Sequence, residues 1–255
     1  MNLYKRHMRG FTLIEMAVAL FIITLVLGSI LVPLTTQVEQ RKTTDTQRIL
    51  DQAMEALAGF AAANGRLPCP ASSTSNGVED PVGGGNCNHP FDGFFPAATL
   101  GIGPVDAQGY LVDGWASMQN RVRYAVTNNS SGCAANLYTT TGGMRACWNT
   151  NPGITTTGLS PTLTVCSTAT GIAGGNCAAG ATLTSTAPAI IFSLGKNAAT
   201  GGTDLDEAEN IGNNRVFVWH TPTSNNAPNG EFDDIMTWMS PNILYSRMIS
   251  AGQLP

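Results

Sequence analysis

The sequence predicts an α+β protein in which a long N-terminal helix, with a membrane half and an amphipathic half, packs on an antiparallel β-sheet head with long disulfide-stapled loops. Three observations lead to this fold. An apolar run near the N-terminus is followed by apolar residues at helical spacing, short β-branched segments come later, and six cysteines lie among stretches rich in Gly and Thr. The chain then divides into a leader (1–10), the membrane half of the helix (11–34), its amphipathic half (35–63) and a globular head (66–255).

The first two segments are a short basic leader and a run of apolar residues. Three basic residues precede Gly10, and the run extends from Phe11 to Leu34, which exceeds the about 20 residues that cross a bilayer. Basic residues in front of such a run favour a cytoplasmic N-terminus. The only ionisable side chain in the run is Glu15. A lone carboxylate at this depth costs about 2.5–3.5 kcal/mol, so it needs a partner or a function.

The next segment, residues 35–63, continues the helix with one apolar face. Polar residues occupy the opposite face, and Asn64-Gly65 provides a left-handed end to the helix. The apolar positions that recur at helical spacing are Val38, Ile49, Leu50, Ala53, Met54, Leu57, and Phe60 or Ala61.

The head begins with a Pro- and Gly-rich stretch, 67–114, which predicts loops. Alternating and β-branched residues then predict strands of an antiparallel sheet that places one face on the helix. The predicted strands are 121–127, 162–166, 189–194 and 216–220.

A short helix closes the head. Ser240-Pro241 supplies an N-cap followed by Pro at the first helical position, and Gly252 suits the end. Its predicted buried face consists of Ile243, Leu244, Met248 and Ile249.

All six cysteines lie in the predicted head. An even number indicates disulfides in an oxidising compartment, and the absence of a C-x-x-C pair disfavours zinc. The spacings suggest three local loops, although six cysteines allow 15 connectivities. The loops are Cys69–Cys87, Cys133–Cys147 and Cys166–Cys177.

The composition excludes some functions. The formal net charge is −4, and part of the positive charge lies in the leader, so the remainder is too acidic for an ordinary nucleic-acid groove. The signatures G-x-S-x-G and H-E-x-x-H are absent. The sequence therefore predicts no catalytic residue, no organic cofactor and no nucleic-acid partner.

One acidic loop has two interpretations. Clustered carboxylates in a loop can supply the oxygen ligands of a Ca²⁺ site. The EF-hand spacing is absent, so a solvated acidic loop is the alternative. The candidate ligands are Asp204, Asp206, Glu207 and Glu209.

The stretch Arg9-Gly10-Phe11-Thr12-Leu13-Ile14-Glu15 resembles the prepilin signal of type IV pilins and type II secretion pseudopilins. The resemblance implies that a prepilin peptidase cuts between Gly10 and Phe11 and that the new amine of Phe11 is methylated. It also implies that the carboxylate of Glu15 pairs with the N-terminal amine of a neighbouring subunit during assembly.

The function that follows is a minor pilin or pseudopilin in a type IV pilus or a type II secretion filament. Its expected partners are sister pilins, which it contacts through the N-terminal helix, the prepilin peptidase and inner-membrane lipid. It would be a single-pass inner-membrane protein with its head in the periplasm or outside the cell. The alternative is a membrane-anchored periplasmic ligand-binding or adhesin module, or an enzyme, that shares only the anchor.

Overall fold

The structure is a computed structural model that describes residues 10–117, 119–128, 133–152, 158–199, 202 and 204–255, and of residues 27–35 only the backbone. Residues 1–9 of the predicted leader, and the side chains of 27–34 in the predicted membrane half, lie outside this description. The chain divides into two units, Met1–Lys42 and a globular unit, Thr43–Pro255. Each unit is described by itself.

Helix α1 has the bounds Leu13–Asn64. It ends where the sequence predicts, because Gly65 adopts a φ of 68° and its N–H donates to the carbonyl of Ala61 at 2.9 Å. In the first unit, the described side chains from Phe11 to Val26 are all exposed. Among the described residues, no helix combines the length and the apolar character that a membrane span requires.

The part of α1 in the globular unit buries the predicted apolar face. Leu50, Ala53, Leu57 and Ala61 are at most 2 % exposed and belong to the main hydrophobic core. The amphipathic pattern is confirmed for these positions. Val38 lies in the first unit and is 46 % exposed, so its predicted place on a buried face is wrong.

Seven strands form two sheets in the globular unit. The larger sheet is antiparallel with the order β1-β2-β5-β7, and the smaller one has the order β4-β3-β6. The strands are β1 Gly93–Phe94, β2 Arg123–Val126, β3 Leu163–Cys166, β4 Thr182–Ala187, β5 Ala189–Ser193, β6 Val216–Val218 and β7 Ile235–Trp238. The four strands predicted from the sequence are present as β2, β3, β5 and β6.

The predicted antiparallel sheet is present, but the structure adds a second sheet that contains a parallel pair. Strands β3 and β6 pair in parallel, with Cys166 beside Val218. A parallel pair needs a long crossover, and here β4 and β5 lie between the two strands in the chain. The fold class remains a mixture of helices and mainly antiparallel strands.

The larger sheet separates two cores. On one face, Ala189 and Ile191 of β5 pack in the core that contains α1; on the other, Ile190 and Phe192 pack with residues of the smaller sheet. Successive residues of a strand point to opposite faces. Strand β5 is therefore buried on both sides, which explains its apolar sequence from Ala189 to Phe192.

Four shorter helices complete the globular unit: α2 Ala97–Leu100, α3 Gly143–Thr150, α4 Leu205–Asn210 and α5 Pro241–Ser250. Helix α5 begins and ends as predicted, with Ser240 at its N-cap and Gly252 at a φ of 71°. Its buried face differs from the prediction, because Ile243 and Ile249 are exposed and Tyr245 is buried with Leu244 and Met248.

The structure forms three disulfides, and each joins cysteines that are consecutive in the sequence. The Cα–Cα distances are 5.4, 5.8 and 5.5 Å, within the usual range for a disulfide. The pairs are Cys69–Cys87, Cys133–Cys147 and Cys166–Cys177. These are the local loops that the spacing suggests.

Candidate functional site

The predicted cleavage junction is accessible. Phe11 is 82 % exposed, and a Cβ atom added at Gly10 would meet no atom of the described residues within 4 Å. These residues therefore set no steric requirement for glycine at position 10. If glycine is needed there, the requirement comes from what binds this segment.

Thr12 and Glu15 form a capping box at the start of α1. The Thr12 N–H and hydroxyl both donate to Oε2 of Glu15 at 2.8 Å, and the Glu15 N–H donates to the Thr12 hydroxyl at 3.3 Å. This reciprocal arrangement satisfies backbone donors that have no partner in the first helical turn. It also holds the negative charge at the end of the helix where the macrodipole favours it.

The carboxylate of Glu15 lies on an apolar stripe. Val18, Ala19 and Ile22 follow it at helical spacing, and all of these side chains are exposed. A large exposed apolar surface of this kind marks a site of contact with protein or lipid. A single charge on such a surface gives the contact an electrostatic specificity.

The structure does not bring the four predicted calcium ligands together. Asp204 is the N-cap residue of α4 and accepts a hydrogen bond from the Glu231 N–H at 2.8 Å. Glu209 accepts from the side chain of Asn214 at 2.9 Å. Asp204 and Glu209 are therefore held by separate contacts, because neighbours on a helix point in different directions. Calcium binding by the four residues stays a prediction.

Asp206 is already occupied by hydrogen-bond donors. It accepts from the Ala169 N–H at 2.6 Å, from the Asn229 side chain at 3.0 Å and lies 3.2 Å from Nε2 of His220. The His220 ring stacks on Phe232, with 4.0 Å between centroids. Asp206 therefore joins three loops and has a structural role.

Glu207 instead belongs to a group with Asp233 and Asp234, called the carboxylate cluster below. One oxygen of each of the three residues lies within 4.8 Å of the others. Glu207 and Asp234 are buried, at 1 % and 3 % exposure. The sequence shows Asp233 and Asp234 as adjacent acids, but only the fold places them beside Glu207.

Burial raises the pKa of all three carboxyl groups. The pKa of Asp233 rises to about 6, because burial is reinforced by the charge of Glu207 and outweighs hydrogen bonds from the backbone of Asn197 and Lys196. Oδ1 of Asp233 is buried and has no hydrogen-bond partner within the described part of the chain. Such a cluster favours a proton or a hard cation with oxygen ligands, such as Ca²⁺.

Comparison with known proteins identifies the N-terminal segment. Residues 5–31 match the family model described as the prokaryotic N-terminal methylation motif, which is the signal of type IV pilins and pseudopilins. The resemblance seen in the sequence is thereby confirmed. No curated protein and no solved structure matches the chain.

Proposed function

We propose that the chain is a structural subunit, a minor pilin or pseudopilin, of a type IV pilus or a type II secretion filament. The observation that carries the proposal is the methylation motif at residues 5–31, which contains Gly10, Phe11 and Glu15. The role is assembly and interaction without catalysis. Its partners are sister subunits, the prepilin peptidase and inner-membrane lipid.

The first step of the proposed pathway is processing. A prepilin peptidase cuts between Gly10 and Phe11, and the new amine of Phe11 is methylated. The exposure of Phe11 supports this step, because a protease must reach the scissile carbonyl. The described residues place no atom within 4 Å of a Cβ at Gly10, which also supports it. Residues 1–10 would then be absent from the mature protein.

The second step is anchoring and export. The apolar sequence from Phe11 to Leu34 would hold the precursor in the inner membrane with its N-terminus in the cytoplasm. The globular unit would then lie in the periplasm or outside the cell. The three disulfides support an oxidising location for that unit.

The third step is assembly through Glu15. In lipid, the Glu15 carboxylate and the N-terminal amine of a neighbouring subunit would each reduce the desolvation cost of the other. The capping box supports this role, because Thr12 fixes the carboxylate at the end of the helix. The size of the globular unit, Thr43–Pro255, favours a minor subunit over a closely packed major one.

The test uses the full chain expressed with a prepilin peptidase and sister pilins. Mass spectrometry of the wild type should find Phe11 at the N-terminus with one added methyl group, whereas Gly10→Leu should stay uncut. Glu15→Val should be cut normally but should no longer copurify with the sister subunits. Glu39→Val is the matched control, because it makes the same change at another exposed position of α1.

Two results would contradict the proposal. An uncut wild-type chain would show that the motif is not used as a processing signal. Normal copurification of Glu15→Val would show that the carboxylate is not needed for assembly. A chain that is cut and anchored but never joins a filament would favour the membrane-anchored binding module.

A further inference from the structure

The globular unit contains three Asn-Gly dipeptides. An asparagine in front of a glycine can lose its side-chain amide without an enzyme, because the glycine nitrogen attacks the side-chain carbonyl carbon and no Cβ on the glycine hinders the approach. A hydrogen bond that holds either reacting group must break before this attack, so the three sites can be ranked by their partners. They are Asn64-Gly65, Asn76-Gly77 and Asn229-Gly230.

The dipeptide at the end of α1 is held at both reacting groups. The Gly65 N–H donates to the Ala61 carbonyl at 2.9 Å. The Asn64 side-chain amide donates to the Phe60 carbonyl at 3.0 Å. Both hydrogen bonds would have to break before the Gly65 nitrogen could attack the Asn64 side chain.

The dipeptide in the loop before β7 is held in the same way. The Gly230 N–H donates to the Ala227 carbonyl at 3.0 Å. The Asn229 side chain donates to the Thr168 hydroxyl at 2.8 Å and to the Asp206 carboxylate at 3.0 Å. Asn229 is also half-buried, so this site is protected by both bonding and burial.

Asn76 and Gly77 are held differently. They are the central residues of a tight turn, with φ values of 53° and 71°. The Val78 N–H closes this turn by donating to the Ser75 carbonyl at 3.0 Å. Positive φ at both central positions is the pattern of a type I′ turn, in which Asn-Gly is favoured. Within the described part of the chain, neither the Gly77 N–H nor the Asn76 side chain makes a hydrogen bond.

Exposure does not distinguish Asn76 from Asn64. Both asparagines are exposed, and both following glycines are buried with similar φ values, 68° at Gly65 and 71° at Gly77. The two dipeptides differ in hydrogen bonding, because both reacting groups are bonded at position 64 and, among the described residues, neither is bonded at position 76. The first dipeptide is therefore an internal control for the second.

We propose that Asn76 is a site of spontaneous deamidation. A bond forms between the Gly77 nitrogen and Cγ of Asn76, the bond from Cγ to the side-chain nitrogen breaks, and that nitrogen leaves with the Gly77 amide proton as ammonia. Water then opens the resulting succinimide ring at either carbonyl, which gives an aspartyl or an isoaspartyl residue. The reaction needs no reagent besides water and adds one negative charge to the globular unit. The inference does not depend on the proposed function.

The isoaspartyl product would change the turn. Its main chain contains one more carbon atom than that of the original residue, so the Gly77 carbonyl shifts relative to the Asn76 N–H. The first of these groups accepts from the Ala98 N–H of α2 at 2.9 Å, and the second donates to the Tyr110 hydroxyl at 2.9 Å. Deamidation should therefore weaken the attachment of this turn to α2.

The test incubates the wild-type full chain in detergent micelles at mildly alkaline pH in water labelled with heavy oxygen. Peptide mapping by mass spectrometry should find that Asn76 is converted at least about tenfold faster than Asn64, because two hydrogen bonds hold the control. The product should carry the oxygen label and should include the isoaspartyl form. In urea with reduced disulfides the two rates should become similar, because the hydrogen bonds of the fold are then absent.

Several outcomes would overturn the proposal: no conversion of Asn76, equal rates at Asn76 and Asn64 in the folded chain, or a product without the isoaspartyl form. A rate difference that persists in urea would also overturn it, because the difference would then come from the neighbouring sequence and not from the fold. The comparison uses only the wild type, so no substituted chain has to fold.

Discussion

Arg66 and Glu79 form a bidentate ion pair inside the globular unit. Both N–O distances are 2.7 Å, and the side chains are 7 % and 5 % exposed. The Glu79 carboxylate also accepts from the backbone N–H groups of Cys69 and Gly83. Through these hydrogen bonds, the Glu79 carboxylate holds its own loop against the residues that follow the end of α1.

The first prediction concerns this pair. Glu79→Gln should lower the free energy of unfolding by about 3–5 kcal/mol, because it leaves the Arg66 charge buried without a counter-charge. Glu55→Gln is the control, since Glu55 pairs with Arg247 at the surface and should change stability by less than about 1 kcal/mol. Urea unfolding measures both. Equal effects of the two substitutions would contradict the interpretation.

The same pair contributes to acid sensitivity. Burial alone raises the pKa of Glu79, but the hydrogen bonds from Arg66 and the backbone outweigh it and lower the net pKa below its ordinary value. A carboxyl group whose folded pKa is lowered stabilises the fold above the unfolded pKa. That contribution is lost as the pH falls through the folded pKa. Glu79→Gln should accordingly show a weaker acid destabilisation than the wild type.

At the scale of elements, the part of α1 in the globular unit packs along one side of the main core. Leu57 is fully buried there, whereas Leu205 at the start of α4 is 52 % exposed. Leu57→Ala should destabilise the globular unit by about 2–5 kcal/mol through a cavity, and Leu205→Ala should change stability by no more than about 0.5 kcal/mol. Thermal unfolding compares them. If Leu57→Ala were as mild as Leu205→Ala, the helix would not be packed as described.

Apolar content decided which elements the sequence could predict. β5 and the second half of α1 carry long apolar patterns, so both are visible in the sequence. β4 reads Thr-Leu-Thr-Ser-Thr-Ala with most side chains exposed, and it resembles the loops around it. The short helix α3 begins after Gly142 and is anchored by the disulfide of Cys147. Its buried face consists of only Met144 and Cys147, which is too short a pattern to predict a helix from the sequence.

The sequence could predict the candidate sites only where their residues are close together in the chain. The capping box and the junction at Gly10 are local, and the order of residues is enough to find them. The carboxylate cluster joins Glu207 to Asp233 and Asp234 from a separate part of the chain, so no spacing rule reveals it.

At the scale of the whole molecule, the carboxylate cluster holds together the loop at 194–199, helix α4 and the residues just before β7. The Asn197 side chain donates to Glu207 at 3.0 Å, and the Asp233 N–H donates to Glu207 at 2.9 Å. The Asn210 side chain bonds to the backbone of Val218 in β6 and also donates to Asp234 at 2.7 Å. Ionisation of the cluster is therefore coupled to the stability of several elements.

The third prediction is a pH dependence. Because the pKa of Asp233 is raised from 3.8 to about 6, folding loses stability as the pH rises through this window. Asp233→Asn should be more stable than the wild type by about 1–2 kcal/mol at pH 7 and equally stable below the lower limit of the window. Asp51→Asn, at an exposed position of α1, is the control. Unfolding in EDTA at several pH values measures the difference.

The outcome of the same experiment with added Ca²⁺ separates the two interpretations of the acidic residues. A rise in the wild-type melting temperature that Asp233→Asn abolishes would identify the cluster as a calcium site. A melting temperature that does not respond to Ca²⁺ would favour a proton in its place. A pH profile identical in Asp233→Asn and the wild type would contradict the raised pKa.

The three disulfides have a consequence for how the protein is made. Each bridge closes between neighbouring cysteines in chain order, with 18, 14 and 11 residues of separation. A globular unit that enters an oxidising space from its Cys69 end would close each bridge before the cysteines of the next pair arrive. The native connectivity is the one that oxidation in this order produces, so no later reshuffling would be required.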